Sequence, residues 1–188
     1  MRELLLVEDD PIDQMAFQRW EESQSGACHL TVADSLRDAL ILIRSHSFDL
    51  ILSDYRLLDG TAMEILAYPC RAPVIVITGA GDEEVAVQSL KAGALDYLIK
   101  DGGGRYLLNL AEVVENAIAK HQAEELAQIL SKAALNTTRG ILVTDGKGNL
   151  IFANEAFRRL HFPSALSCTS VRNEESEEIA QVMVVLES

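Results

Sequence analysis

The first hundred residues repeat one pattern: a short apolar run, then a segment whose apolar residues return every three or four positions. The runs are "ELLLVE" (3–8), "CHLTVA" (28–33), "DLILSD" (49–54), "PVIVIT" (73–78) and "DYLIK" (96–100). Each is bounded by turn or cap residues and reads as a strand. Between them lie "PIDQMAFQRWEES" (11–23), "DSLRDALILIRSH" (34–46), a short stretch near 61–67 and "GDEEVAVQSLKAG" (81–93), which read as helices. Pro11 suits a first helical position, and Asp34 or Ser35 suits an N-cap. Acids open 81–93 while Lys91 and Gly93 close it, as the helix dipole and C-cap prefer. Ile12, Met15, Ala16 and Arg19-Trp20 fall at helical spacing on the first helix, and Leu36, Ala39, Leu40 and Ile43 on the second. Strand-then-helix units of this length imply parallel strands joined by right-handed crossovers, with helices on both faces. Strands such as Val74-Ile75-Val76-Ile77 fit a sheet covered on both sides. The expected fold class is α/β, a doubly wound five-stranded parallel sheet.

In such a sheet all carboxyl ends lie along one edge, where these folds take their ligands. The residues found there are not neutral turn formers. Glu8, Asp9 and Asp10 follow the first strand, Asp54 ends the third, Thr78 the fourth and Lys100 the fifth. Carboxylates brought this close repel one another, and a bound divalent cation relieves the repulsion. An all-oxygen donor set suits Mg²⁺. A carboxylate can attack phosphorus to give an acyl phosphate, with metal and lysine neutralising the phosphoryl oxygens. Gly79, Ala80 and Gly81 leave room for a donor. Taken singly each residue has a plainer reading. An aspartate after a strand is usually a cap or turn former, and Asp10 suits the N-cap of the following helix. Thr78 alone is a strand-end hydroxyl, Lys100 a surface charge and Tyr97 plain core. The joint arrangement is what points to chemistry.

The stretches "LLLVEDDP", "DLILSDYRLLDG" and "VIVITGAGDEEVAVQSLKAGALDYLIK", in this order and spacing, resemble the receiver (CheY-like) domain of response regulators in bacterial two-component systems. The resemblance covers residues 2 to about 120 and implies the strand order 2-1-3-4-5. It implies that Asp54 is the phosphoacceptor and that Glu8, Asp9, Asp54 and the Arg56 backbone carbonyl hold Mg²⁺. Thr78 and Lys100 would contact the phosphoryl group, and Tyr97 stands at the switch-aromatic position. A histidine kinase, a phosphotransfer protein or a small phosphodonor would supply the group. On this reading the chain is not an enzyme in the ordinary sense; at most it phosphorylates and dephosphorylates itself. Two positions depart from the family. Asp101, followed by Gly102-Gly103-Gly104, stands where a cis-proline is usual after the lysine, and Leu58 stands where proline is frequent. Both put loop geometry in doubt and neither removes a reactive group.

Domain limits are expected at 1–120 for the receiver, 104–136 for a long helix continuing from the fifth helix, and 137–188 for a truncated PAS-like segment. In the long helix Leu107, Ala111, Val114, Ile118, Ile129 and Ala133 form a rough eleven-residue repeat, interrupted over His121 to Glu125. Such a helix is too long to pack wholly on one small domain. Its second half is expected to leave the domain as a linker or to pair with a second copy in a homodimer; an ordinary surface helix broken near His121 is the other reading. Residues 139–161, "GILVTDGKGNLIFANEAFRRL" and its flanks, resemble the opening of a PAS domain: strand, glycine turn, strand and a helix capped by Asn154. Residues 163–178 are expected to be poorly ordered.

Net charge is −13, which argues against a direct nucleic-acid or anionic-membrane face. Three widely spaced cysteines, Cys28, Cys70 and Cys168, suggest reduced thiols in a cytoplasmic protein. No segment reaches the ~18 apolar residues of a membrane span. Two further readings stay open: a regulatory receiver–PAS fragment of a larger sensor enzyme such as a hybrid histidine kinase or nucleotide cyclase, and a constitutive dimerisation scaffold.

Overall fold

Alternation along each strand decides which helix layer it feeds. In β1 (Arg2–Val7), Leu4 and Leu6 point to one face of the sheet and Leu5 and Val7 to the other, and all four are fully buried. The computed structural model describes residues 1–79, 81–101, 103–137, 140–144, 150–159, 168–170 and 181–185. Its central sheet adds β2 (Cys28–Ala33), β3 (Leu50–Asp54), β4 (Val74–Gly79) and β5 (Asp96–Lys100). All five pair in parallel, in the order β2-β1-β3-β4-β5, as expected. Leu4 lies level with Leu30 and Leu50, and Leu52 level with Ile75.

Helices α1 (Pro11–Ser23), α2 (Leu36–Ser45), α3 (Ala62–Ala67), α4 (Glu83–Lys91) and α5 (Leu110–Asn136) complete this region. Leu4, Leu6, Leu50, Leu52, Ile75 and Ile77 pack with Phe17 and Trp20 of α1 and with Leu110, Val114 and Ile118 of α5. Leu5, Val7, Ile51, Val74 and Val76 pack on the opposite side with Leu36 and Ala39 of α2 and Ile65 of α3. Each buried Leu, Ile, Val or Phe stabilises the fold by about 1.5–3 kcal/mol relative to leaving it in water.

Two expectations need correction. On α1 the buried residues are Phe17 and Trp20, while Ile12 and Met15 are largely exposed. Apolar residues occur all round this helix, so its sequence could not select the face. The long helix does not begin at 104 or 105. Residues Arg105–Asn109 form a 3-10 turn, and α5 starts at Leu110. Gly104 takes a left-handed φ of 67°, open to glycine without strain, and Asp101 takes the following turn in hand: its carboxylate pairs with Arg105 at 2.9 Å and accepts from the Tyr106 amide at 3.3 Å. The aspartate in the usual proline position therefore organises the loop, and no peptide bond among the described residues is cis, Lys100–Asp101 included. Beyond that start the long-helix reading holds: α5 runs unbroken through His121 to Asn136, and the alternative of a break near His121 falls. Residues 119–128 are nearly all good helix formers, so the gap in the apolar repeat does not interrupt the backbone.

Two compact units divide the chain inside α5, at Ala123 and Glu124. In the second, β6 (Gly140–Thr144), β7 (Leu150–Ala153), β8 (Cys168–Ser170) and β9 (Gln181–Val185) form an antiparallel sheet ordered β8-β9-β6-β7, with α6 (Glu155–Arg159) after β7. Asn154 starts α6 as expected, its Oδ1 accepting from the Phe157 amide at 2.9 Å and from the Ile141 amide at 2.9 Å. The expected glycine turn at 145–149 lies outside the described residues. So does the expected poor order over 163–178, apart from 168–170, which form β8.

Candidate functional site

Buried strands aim the site. β1 is held between β2 and β3, so the residues just beyond Val7 emerge at the middle of the sheet's carboxyl edge. Glu8 is fully buried, and its Oε1 accepts from the Asp10 amide at 3.1 Å. Asp10 is not free for other work: it is the α1 N-cap, accepting from the Ile12 amide at 2.7 Å. Asp9 instead turns towards the loop after β3 and accepts from the Leu58 amide at 2.7 Å. Asp54 closes β3, with its Oδ1 3.3 Å from the Arg56 amide.

Lys100, the last residue of β5, reaches back across this edge. Its Nζ donates to Glu8 Oε2 at 2.7 Å, Asp54 Oδ2 at 2.7 Å and Asp13 Oδ2 at 2.6 Å. Burial alone would lower the lysine's pKa. The three hydrogen bonds, led by Asp13 and then Asp54 and Glu8, outweigh it and raise the pKa well above the ordinary lysine value. Burial pushes the Glu8 carboxyl up, opposed by Lys100. Glu8, Asp9 and Asp54 each offer a carboxylate oxygen within 4.8 Å of the others, a donor set of hard oxygens that fits a small divalent cation.

Thr78 follows Ile77, the β4 residue level with Asp54. It is 1% exposed, and its Oγ1 is the buried side-chain oxygen among the described residues without a hydrogen-bond partner. An orphaned buried hydroxyl lacks about 1–3 kcal/mol of solvation, so it is a donor waiting for an acceptor. The guanidinium of Arg56 leans to Asp82, before α4, at 3.1 Å, linking the loop after β3 to the loop after β4.

The loop after β3 is tied down on both sides. Arg56–Leu57 pairs with Gly60–Thr61 in a small antiparallel ladder. A Cβ on Gly60 would lie 2.4 Å from Leu36 Cδ2, so any larger residue there would have to push the Leu36 side chain aside. The Asp59 carboxylate accepts from the Leu36 and Arg37 amides at 2.8 and 3.0 Å, and these bonds hold its pKa below the usual range. Thr61 and Glu64 form a capping box at the start of α3.

Of the residues singled out in the sequence, Glu8, Asp9, Asp54 and Lys100 meet directly, and Thr78 lies one residue beyond Asp54's strand partner. Tyr97, on β5, is 36% exposed and, among the described residues, makes no hydrogen bond to them. Sequence reasoning missed Asp13, although counting one helical turn from the Asp10 cap would have placed it at the same edge. It also missed Tyr106, whose ring packs edge-on to Phe17 at 6.0 Å and whose pKa is pushed up to about 12, by burial first and then by Asp13.

Comparison with known proteins gives a consistent result. The response regulator receiver domain family model matches residues 4–112. The transcriptional regulatory protein ZraR of Salmonella typhimurium is 36% identical over 140 residues, covering 70% of this chain and 30% of that protein. The chain thus spans less than a third of that regulator's length. A response regulator receiver domain protein (CheY-like) from Methanospirillum hungatei JF-1 superposes with a TM-score of 0.56 at 26% identity, covering 66% of this chain and 98% of that one. The beryllofluoride-activated NtrC4 receiver domain dimer gives a TM-score of 0.53 at 28% identity, covering 64% and 99%. The family match stops at residue 112 and lends no support to a PAS assignment further on.

Proposed function

The chain belongs to the response regulator receiver domain family, and on that premise we propose that Asp54 accepts a phosphoryl group and that the resulting acyl phosphate changes what the protein binds. The observation that carries this reading is the convergence of Lys100 from β5 on Asp54 from β3 beside Glu8 from β1, at 2.7 Å each. One Asp54 oxygen forms a bond to phosphorus. The bond from phosphorus to the donor's leaving group breaks, and the leaving group keeps the electron pair. A phosphohistidine on a histidine kinase or phosphotransfer protein, or a small acyl phosphate, fits that role. Lys100 supplies an N–H and a positive charge to the phosphoryl oxygens, and Thr78 supplies its uncommitted hydroxyl. Glu8, Asp9, Asp54 and the Arg56 carbonyl would hold Mg²⁺, which would offset the clustered carboxylates and the phosphoryl charge.

Once Thr78 turns to the phosphoryl group, Tyr97 gains room to move inward, which reshapes the surface of α4, β5 and α5. Continuity of α5 past this surface supports transmission to a second copy of the chain or to the segment beyond. The strand, strand, helix order of β6, β7 and α6 is that of a PAS opening, and we keep that reading as a proposal for what α5 addresses. The acidic charge argues against direct nucleic-acid contact by these residues. No helix among the described residues is long and apolar enough to cross a membrane, and we place the signalling event in the cytoplasm.

Intact-mass measurement after incubation with acetyl phosphate and Mg²⁺ tests the chemistry. One added phosphoryl group, absent in Asp54→Asn, is the expected result. A wild-type chain that gains no mass removes the phosphoacceptor reading and favours a scaffold.

A further inference from the structure

An ammonium has three N–H donors, and in this site every one is taken. Lys100 gives one to Glu8, one to Asp54 and one to Asp13, the last being the shortest at 2.6 Å. A phosphoryl oxygen arriving on Asp54 can be met by Lys100 only if one of these bonds opens. The three partners differ in how readily they let go. Glu8 is fully buried, so losing Lys100 would leave a carboxylate with no route to water. Asp54 carries the group itself. The Asp13 side chain is 31% exposed, the most open of the three, and water can replace the lysine there. Asp13 also lies outside the group of Glu8, Asp9 and Asp54 whose oxygens are mutually within 4.8 Å, so it is not bound up in cation binding.

We propose that Asp13 is a positioning residue: it holds Lys100 in the resting site and is displaced from it by the incoming phosphoryl oxygen. The inference rests on Asp54 as phosphoacceptor. On this account Asp13 competes with the phosphoryl group for one N–H, and its carboxylate weakens the site's affinity for anions.

The test is a calorimetric titration of beryllium fluoride into the full chain at saturating Mg²⁺, comparing wild type with Asp13→Asn and Asp13→Ala. Removing a partly exposed charged competitor predicts binding tighter by about five-fold in both variants. A purely structural role predicts the opposite sign, because a loosened Lys100 would meet the anion less well. Unchanged or weaker binding in the variants overturns the inference. So does a loss of more than about ten-fold in affinity for Mg²⁺ alone, which would make Asp13 a metal ligand. Asp13→Asn keeps the side chain's shape at the start of α1, and it carries the comparison if Asp13→Ala does not fold. Absence of beryllofluoride binding in the wild type is a different outcome: it removes the phosphoacceptor reading and the inference with it.

Discussion

From Leu110 to Ile118, α5 buries Leu110, Val114, Ala117 and Ile118 against the parallel sheet; from Leu126 to Leu135 the same helix leaves Leu126, Ile129, Leu130 and Leu135 more than half exposed. The residue types are alike and so are their helix propensities. What differs is the surface within reach. Extending an existing helix by one residue is far easier than starting one, so the backbone continues past the last residue that the sheet can cover. An apolar stripe left in water on such an extension is a candidate contact for a second copy, consistent with the proposed homodimer.

The two halves should respond oppositely to truncation. Ile118→Ala is expected to destabilise the first unit by about 2–5 kcal/mol, since it opens a cavity beneath a fully packed helix; urea unfolding followed by circular dichroism measures this. Replacing Leu126, Ile129 and Leu130 together by serine is expected to leave that unfolding within about 0.5 kcal/mol per substitution. The same variant should lose self-association, and the response of self-association to beryllium fluoride with Mg²⁺, in sedimentation velocity. If it instead unfolds as easily as Ile118→Ala, the outer half is packed and the contrast fails.

Tyr106, on the turn that leads into the buried half, offers a spectroscopic check. Its folded pKa is raised towards about 12, above the unfolded tyrosine value of about 10. The unfolded chain therefore loses this proton first. The stabilisation is full below pH ~10 and declines as pH rises towards 12. Phenolate absorbance should show a late step from Tyr106, and Tyr106→Phe should remove it. The smallest effect expected is for Arg2→Ala. It breaks the exposed pair between Arg2 and Glu115, 3.1 Å apart, that ties the start of β1 to the inner half of α5. A change of about 0.2–1 kcal/mol that shrinks with added salt is expected.

Much of the receiver unit could be read directly. Continuous apolar runs announced the five parallel strands, and the caps at Asp10, Ser35 and Asn154 act through bonds to nearby amides. The convergence of Glu8, Asp9, Asp54 and Lys100 was legible because parallel strands put their carboxyl ends along one edge, and the family resemblance supplied the strand order. The buried face of α1 was not legible, nor was the 3-10 turn that Asp101 organises. Asp13 was missed for a related reason: its partner, Lys100, is 87 residues away, and the first turn of a helix accepts acids for their effect on the dipole alone.

By itself the sequence determined the alternation of strands and helices, the continuity of α5 and the chemical character of the strands' carboxyl ends, because each depends on neighbours within a few residues. Tertiary structure alone decided which side of α1 is dry, where α5 runs out of sheet to cover it, and which three carboxylates share one ammonium. Those outcomes depend on surfaces and charges that distant segments bring into reach only once the chain has folded.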